Sequence, residues 1–183
     1  MPTSFRLPDA MRIVAGKWRG RRIESPPGDD VRPTLDRVRE AWMSILQPDI
    51  PGARVVDFFA GSGALGLEAL SRGAESLTLV EKSARSIRVI ENNIEGLGAG
   101  ESATIKRADA IQFAKGLAAG DFDVAFADPP YDGGLAPLLA SIWLDTPFSS
   151  ILSIEHKRGE KMPDATDTRR YGTSAITFYR TED

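Results

Sequence analysis

From Ala53 onward, apolar runs of strand length alternate with segments whose apolar residues recur at helical spacing. Residues 54–59, Ser76–Glu81, Ala103–Arg107, Phe122–Ala127 and residues 150–154 read as five strands. Between them, Ala64–Ser71, residues 84–94, the stretch after Asp109 and residues 135–142 read as helices, with Gly96 and Gly98 closing the second of these. Residues 169–172 and 174–179 read as a closing strand pair. Strands that alternate with helices predict a Rossmann-like α/β fold, its sheet mostly parallel and wound on both faces.

Before Ala53 the pattern differs. Leu35, Val38, Trp42, Ile45 and Leu46 fall on one face of a helix, with Thr34 as its N-cap and Asp36 in its first turn. Pro48 and Pro51-Gly52 end it. Met11-Arg12-Ile13-Val14 and Arg21-Arg22-Ile23-Glu24, joined through Gly16-Lys17-Trp18-Arg19-Gly20, predict a basic hairpin with Trp18 at its tip. Residues 1–10 read as a loose leader and residues 25–30 as a loop. The chain therefore divides into an extension over residues 1–50 and a main domain over residues 51–183.

Composition alters this picture in two places. With 183 residues, 42% hydrophobic and 27% charged, the chain is globular, and without cysteine it has no disulfide or thiolate chemistry. No apolar run is long enough for a spanning helix, and the first residues lack the apolar core of a secretory signal; the expected location is the cytoplasm. Charge is uneven. Residues 12–39 carry eight basic and four acidic side chains, a net +4 in a chain of −3, which leaves −7 elsewhere. Such asymmetry points to a polyanion at the N-terminal segment, above all to Arg12, Lys17, Trp18, Arg19, Arg21, Arg22 and Arg32. The alternative is an edge hairpin kept soluble by its arginines.

Two loops carry candidate chemistry. After the first strand, Gly61, Gly63 and Gly66 match G-x-G-x-x-G, and Glu81 ends the second strand 20 residues after Gly61. This layout makes a nucleotide pocket, in which glycines admit the ligand to the backbone and the acid accepts from ribose hydroxyls. NAD is the usual ligand of such spacing. Asp57, just before the loop, is a poor neighbour for a pyrophosphate and a good one for a cation. S-adenosylmethionine, with its α-ammonium and sulfonium and no phosphate, suits the residues better. Asp57 would then lie near the ammonium, Glu81 on the ribose and Asp109-Ala110 beside the adenine, with Phe59, Ser62, Gly63, Lys82 and Asp128 completing the pocket. The second loop is Asp128-Pro129-Pro130-Tyr131, directly after the fourth strand. Its prolines offer carbonyls but no N–H and stiffen the residues before them. A carboxylate and a carbonyl acceptor beside an aromatic face suit a planar group bearing an amine. The plainer reading is a proline turn with Asp128 as a local cap. No cluster of metal-ligating residues stands out, and His156 reads as a satisfied surface or strand-end histidine rather than a base.

Residues 57–66 together with Asp128-Pro129-Pro130-Tyr131 resemble the amino-methylating class I S-adenosylmethionine-dependent methyltransferases. The segment 11–21, with Arg32-Pro33-Thr34 and residues 36–40, is similar to the bacterial 16S ribosomal RNA guanine-N2 methyltransferases of the D type. The resemblance spans residues 11–179. It implies a seven-stranded sheet with one antiparallel strand, and methyl transfer to one guanine of small-subunit rRNA, with the assembled subunit as substrate. Asp128 and the Pro129 carbonyl would accept the two N–H bonds of the guanine amine, while Pro130 holds the turn and Tyr131 stacks on the base. The enzyme would need no metal or membrane and would act as a monomer. A DNA adenine-N6 methyltransferase and a catalytically silent RNA-binding module of the same fold are the alternatives.

Overall fold

The computed structural model describes residues 11–26 and 33–182, without the side chains of residues 33–35. Seven strands form one sheet: β1 (Arg54–Phe58), β2 (Ser76–Glu81), β3 (Ala103–Arg107), β4 (Phe122–Ala127), β5 (Ser149–Lys157), β6 (Asp167–Tyr171) and β7 (Ser174–Arg180). Their order is β3-β2-β1-β4-β5-β7-β6. The first five run parallel, and β7 is antiparallel to both its neighbours. The order reverses between β1 and β4, and the carboxyl ends of strands at such a switch point form a crevice.

Five helices cover the sheet: α1 (Pro33–Leu46), α2 (Ala64–Ser71), α3 (Ala84–Leu97), α4 (Ala110–Lys115) and α5 (Leu135–Asp145). Alternation along the strands sorts the core into two layers. On one face Val55, Leu77, Leu79, Val124, Phe126 and Ile176 pack with α1, α2 and α3. On the other, Val56, Val80, Ala125, Leu152 and Ile154 pack with α4 and α5. Trp42 anchors α1 across the first face. Its Nε1 donates to Ser153 Oγ at 2.8 Å, and its ring meets Phe126 edge-on at 5.8 Å.

The five predicted parallel strands and four intervening helices are present, three of them longer than expected: α3 to Leu97, α5 to Asp145 and β5 to Lys157. α1 starts at Pro33, a residue that pre-sets the helical φ, rather than after a cap at Thr34. The predicted hairpin is present as a short antiparallel pairing: Arg12 faces Arg22, and backbone hydrogen bonds run from Ile13 N to Arg21 O, Gly20 N to Ile13 O and Ile23 N to Met11 O. Residues 1–10, most of the loop predicted over 25–30, and Arg32 lie outside the described residues.

Candidate active site

The first wall of the crevice is the loop after β1. Asp57 is 1% exposed, and its Oδ2 accepts from the Gly66 amide at 3.0 Å. Gly66 is needed for contact: a Cβ there would sit 2.6 Å from Leu77 Cδ1 and 3.1 Å from Asp57 Oδ2. Burial pushes the Asp57 carboxyl up to about 8; the Gly66 hydrogen bond opposes that rise, and the nearby Glu81 adds to it. Phe59 follows with φ +56°, the one non-glycine in the left-handed region among the described residues. Such a backbone costs about 1–3 kcal/mol and persists where its surroundings enforce it. Here Glu81 does so. Its Oε2 accepts from Gly61 N at 2.8 Å, and its Oε1 accepts from the amides of Lys82 and Ser83 at 3.1 and 3.0 Å. One carboxylate thus binds the glycine loop to the end of β2. Asp109 caps α4 by accepting from Gln112 N at 3.0 Å, which places it and Ala110 at the exit of β3.

The second wall is the loop after β4. Parallel register aligns Leu79, Asp57, Phe126 and Ser153 across β2, β1, β4 and β5. Two residues further along come Glu81, Phe59, Asp128 and Glu155. Four carboxylates are therefore gathered along one crevice: Glu81, Asp57, Asp128 and Glu155. Glu155 is 6% exposed, and Tyr131 donates its hydroxyl to Glu155 Oε1 at 3.5 Å. The Asp128 carboxyl stands well above the usual carboxylate range, through burial first and the Glu155 charge next. The residue as a whole still has open surface. The two facts agree if Asp128 lines a cleft: protein surrounds it on most sides and one side faces the opening. Burial likewise raises Glu155. It also raises the Tyr131 hydroxyl, with Glu155 and Asp128 adding to the effect. Pro129 is buried, while Pro130 and Tyr131 are exposed.

Residues 11–180 match the family described as Conserved hypothetical protein 95. The ribosomal RNA small subunit methyltransferase D of Haemophilus influenzae is 32% identical over 179 residues, which is 93% of this chain and 92% of that protein. The protein of the same name from Escherichia coli is 42% identical over 127 residues, 68% of this chain and 62% of its own length. The solved structure of Escherichia coli yhhF superposes with a TM-score of 0.82 at 34% identity, covering 94% of this chain and 98% of that one. The chain belongs to the ribosomal RNA small subunit methyltransferase D family. Its fold is that of the class I S-adenosylmethionine-dependent methyltransferases.

In this member of the family the N-terminal arm is clamped to the helix behind the glycine loop. Buried Glu68 of α2 accepts from the Val14 and Ala15 amides at 3.0 and 3.1 Å and pairs with Arg72 at 3.1 Å. Ser71 accepts from Trp18 N and donates to the Ala15 carbonyl. Gly16 has φ +84°, and a Cβ there would lie 1.9 Å from the Ser71 carbonyl oxygen, so only glycine fits. Asn93 of α3 is buried and bridges the arm to the loop. Its Nδ2 donates to the Glu24 carbonyl at 3.0 Å and to the Ser62 carbonyl at 2.9 Å, and its Oδ1 accepts from Glu24 N at 2.7 Å.

The structure places Asp57, Phe59, Gly61, Ser62, Gly63, Gly66, Glu81, Lys82, Asp109, Ala110 and Asp128 at or just beyond the carboxyl edge of β1–β4. One expectation changes. Trp18 sits in the turn but is half-buried against the core, with the Lys17 ammonium 4.3 Å from its ring centroid, because Ile13 and Ile23 draw the arm inward. His156 is the satisfied strand-end histidine of the two alternatives: it is buried one residue before the end of β5, and its two ring nitrogens contact Thr177 Oγ1 at 2.7 Å and the Lys157 carbonyl at 3.0 Å. Of the arm's cations, Arg12 and Arg21 donate to the carbonyls of Gly20 and Gly96, whereas Lys17, Arg19 and Arg22 extend from its exposed side. Motif reading missed Glu68, Asn93 and Glu155. Glu155 carries a legible signal, a charge that continues the apolar strand Ile151-Leu152-Ser153-Ile154.

Proposed function

We propose that the protein transfers the methyl group of S-adenosylmethionine to the exocyclic N2 amine of a guanine in small-subunit ribosomal RNA, and that the assembled subunit is its substrate. The observation that carries this reading is the juxtaposition of the Asp128-Pro129 acceptor pair with the Glu81-braced glycine loop on one crevice. The donor set fits the cofactor. Glu81 would accept from ribose hydroxyls, Asp109 and Ala110 would border the adenine, and Asp57 would face the α-ammonium. A crevice holding four carboxylates, three of them above their ordinary pKa values, favours a cationic ligand and disfavours a pyrophosphate.

When bound, the cofactor supplies a methyl group made electrophilic by its sulfonium. The protein's part is to make a poor nucleophile competent. The guanine amine lone pair is delocalised into the ring. Asp128 and the Pro129 carbonyl, accepting its two N–H bonds, would turn the nitrogen toward the methyl group and favour the positive charge that develops on it. The exposed Tyr131 ring would stack on a base that is unpaired or flipped out. The arm, with Arg19 and Arg22, would meet RNA phosphates beside an otherwise acidic domain.

Incubation with labelled S-adenosylmethionine and either undermodified small subunits, naked rRNA or DNA, followed by nucleoside analysis, tests the reading. The expected product is N2-methylguanosine in the subunit's RNA. Label in N6-methyladenine of DNA would replace the proposal with an adenine-N6 methyltransferase, and the absence of label from any of them would leave a silent binding module.

A further inference from the structure

We propose that Glu155 is a positioning residue for the acceptor loop, holding the Asp128 carboxyl and the Tyr131 ring in place from the strand beside them. The inference rests on the functional reading above. β4 and β5 pair in parallel up to Ala127 with Ile154, so the next residues, Asp128 and Glu155, leave the last rung side by side. Glu155 is nearly inaccessible while Asp128 opens to the crevice. The Tyr131 hydroxyl points back to Glu155 at 3.5 Å. The loop thus touches one buried carboxyl through both of its functional side chains. A glutamate there contributes nothing to the apolar core, and its burial opposes its charge.

The groups facing Glu155 are Asp128 and Tyr131 from the loop, Ser174 from β7 and His156 from its own strand, with Asp57 of β1 acting on Asp128. Two carboxyls this close in a poorly hydrated cleft do not both ionise freely, so they titrate as a pair sharing a proton. A shared proton locks both side chains in one geometry. Asp128 is acceptor-only, and a stronger acceptor that favours positive charge on the amine, when ionised, so Glu155 also governs the pH at which Asp128 becomes fully competent. The charge of a bound cationic cofactor would draw the shared proton off.

The test compares wild type with Glu155→Gln, which keeps shape and hydrogen bonding but cannot carry charge. In protein labelled with ¹³C at aspartate carboxyls, with the Asp128 signal assigned through Asp128→Asn, the Asp128 titration midpoint should fall by about one pH unit or more in Glu155→Gln. The acid limb of kcat for methyl transfer should move down with it, while affinity for S-adenosylhomocysteine stays the same. An unmoved Asp128 midpoint overturns the proposal. Tyr131→Phe, a change at an exposed side chain, provides a variant that keeps the fold. It should lower kcat about 3- to 10-fold with cofactor affinity unchanged, as for removal of one hydrogen bond. An unaltered kcat would remove the hydroxyl interaction from the proposal. If the wild type methylates no RNA, the functional reading fails, and the carboxyl titration still decides the role of Glu155.

Discussion

Replacing Asp57 with Asn tests the electrostatics of the crevice. The Asn Oδ1 can still accept from Gly66 N, so the bond at 3.0 Å survives and only the titration is lost. In the native protein Asp57 takes up its proton at about 8, against 3.8 for an ordinary aspartate. Between those values the folded chain holds a proton that the unfolded chain has released, so raising the pH favours unfolding. The stabilisation is fully present below the unfolded pKa and is lost as pH rises through the folded one. From pH 6 to pH 8 one such carboxyl removes roughly 2 kcal/mol of stability. Urea denaturation of ligand-free protein at pH 6, 7 and 8 measures it. The wild-type curve should fall more steeply than that of Asp57→Asn by that amount. Asp128 and Glu155 also have raised values, but they contribute to both proteins and largely cancel in the difference. Parallel curves would show that Asp57 is ionised in the native protein at pH 6 and that burial does not hold its proton. The same titration reaches the ligand. A cation bound beside Asp57 expels its proton, so wild-type affinity for S-adenosylmethionine should rise by up to about tenfold per pH unit below 8, and that of Asp57→Asn should not.

Glu81→Ala should weaken S-adenosylhomocysteine binding in calorimetry by about 1–3 kcal/mol for each charged hydrogen bond removed, and free the Gly61, Lys82 and Ser83 amides for exchange with deuterium. Asp128→Ala should leave that affinity nearly unchanged and lower kcat by roughly a hundredfold, as when one preorganised transition-state group is removed; near wild-type turnover would exclude a catalytic role. Replacing Arg19 and Arg22 together with alanine should flatten the dependence of log RNA affinity on log salt by up to about 2 units, roughly 0.7–0.9 for each phosphate no longer neutralised, with cofactor affinity unchanged. An unchanged slope would mark both as solubilising residues.

Among the described residues no helix is long and apolar enough to cross a membrane, and no group of acids and histidines has the arrangement of a metal site.

What the chain declares by itself is whatever depends on near neighbours. Apolar runs of strand length and helical spacing placed β1–β4 and α2 almost to the residue. The glycine spacing with Glu81, and the proline-stiffened turn after β4, announced both walls of the crevice, because loop backbone and ligand contact are properties of a few consecutive residues. Tertiary structure decided the rest. Asp57 reads as a ligand to a cation, yet only the packing of α2 over β1 shows it 1% exposed, bound to Gly66 and holding its proton to about 8. Trp18 reads as a hairpin tip, but Ile13 and Ile23 bury that side of the arm and turn the ring inward. Glu68 and Asn93 have no local signature, and the charge that ends the apolar run before Glu155 does not name its partner: the partners of the three lie 54, 69 and 24 residues away. Hydrogen bonds and burial across such separations follow from strand order and helix packing, which no short stretch of sequence encodes.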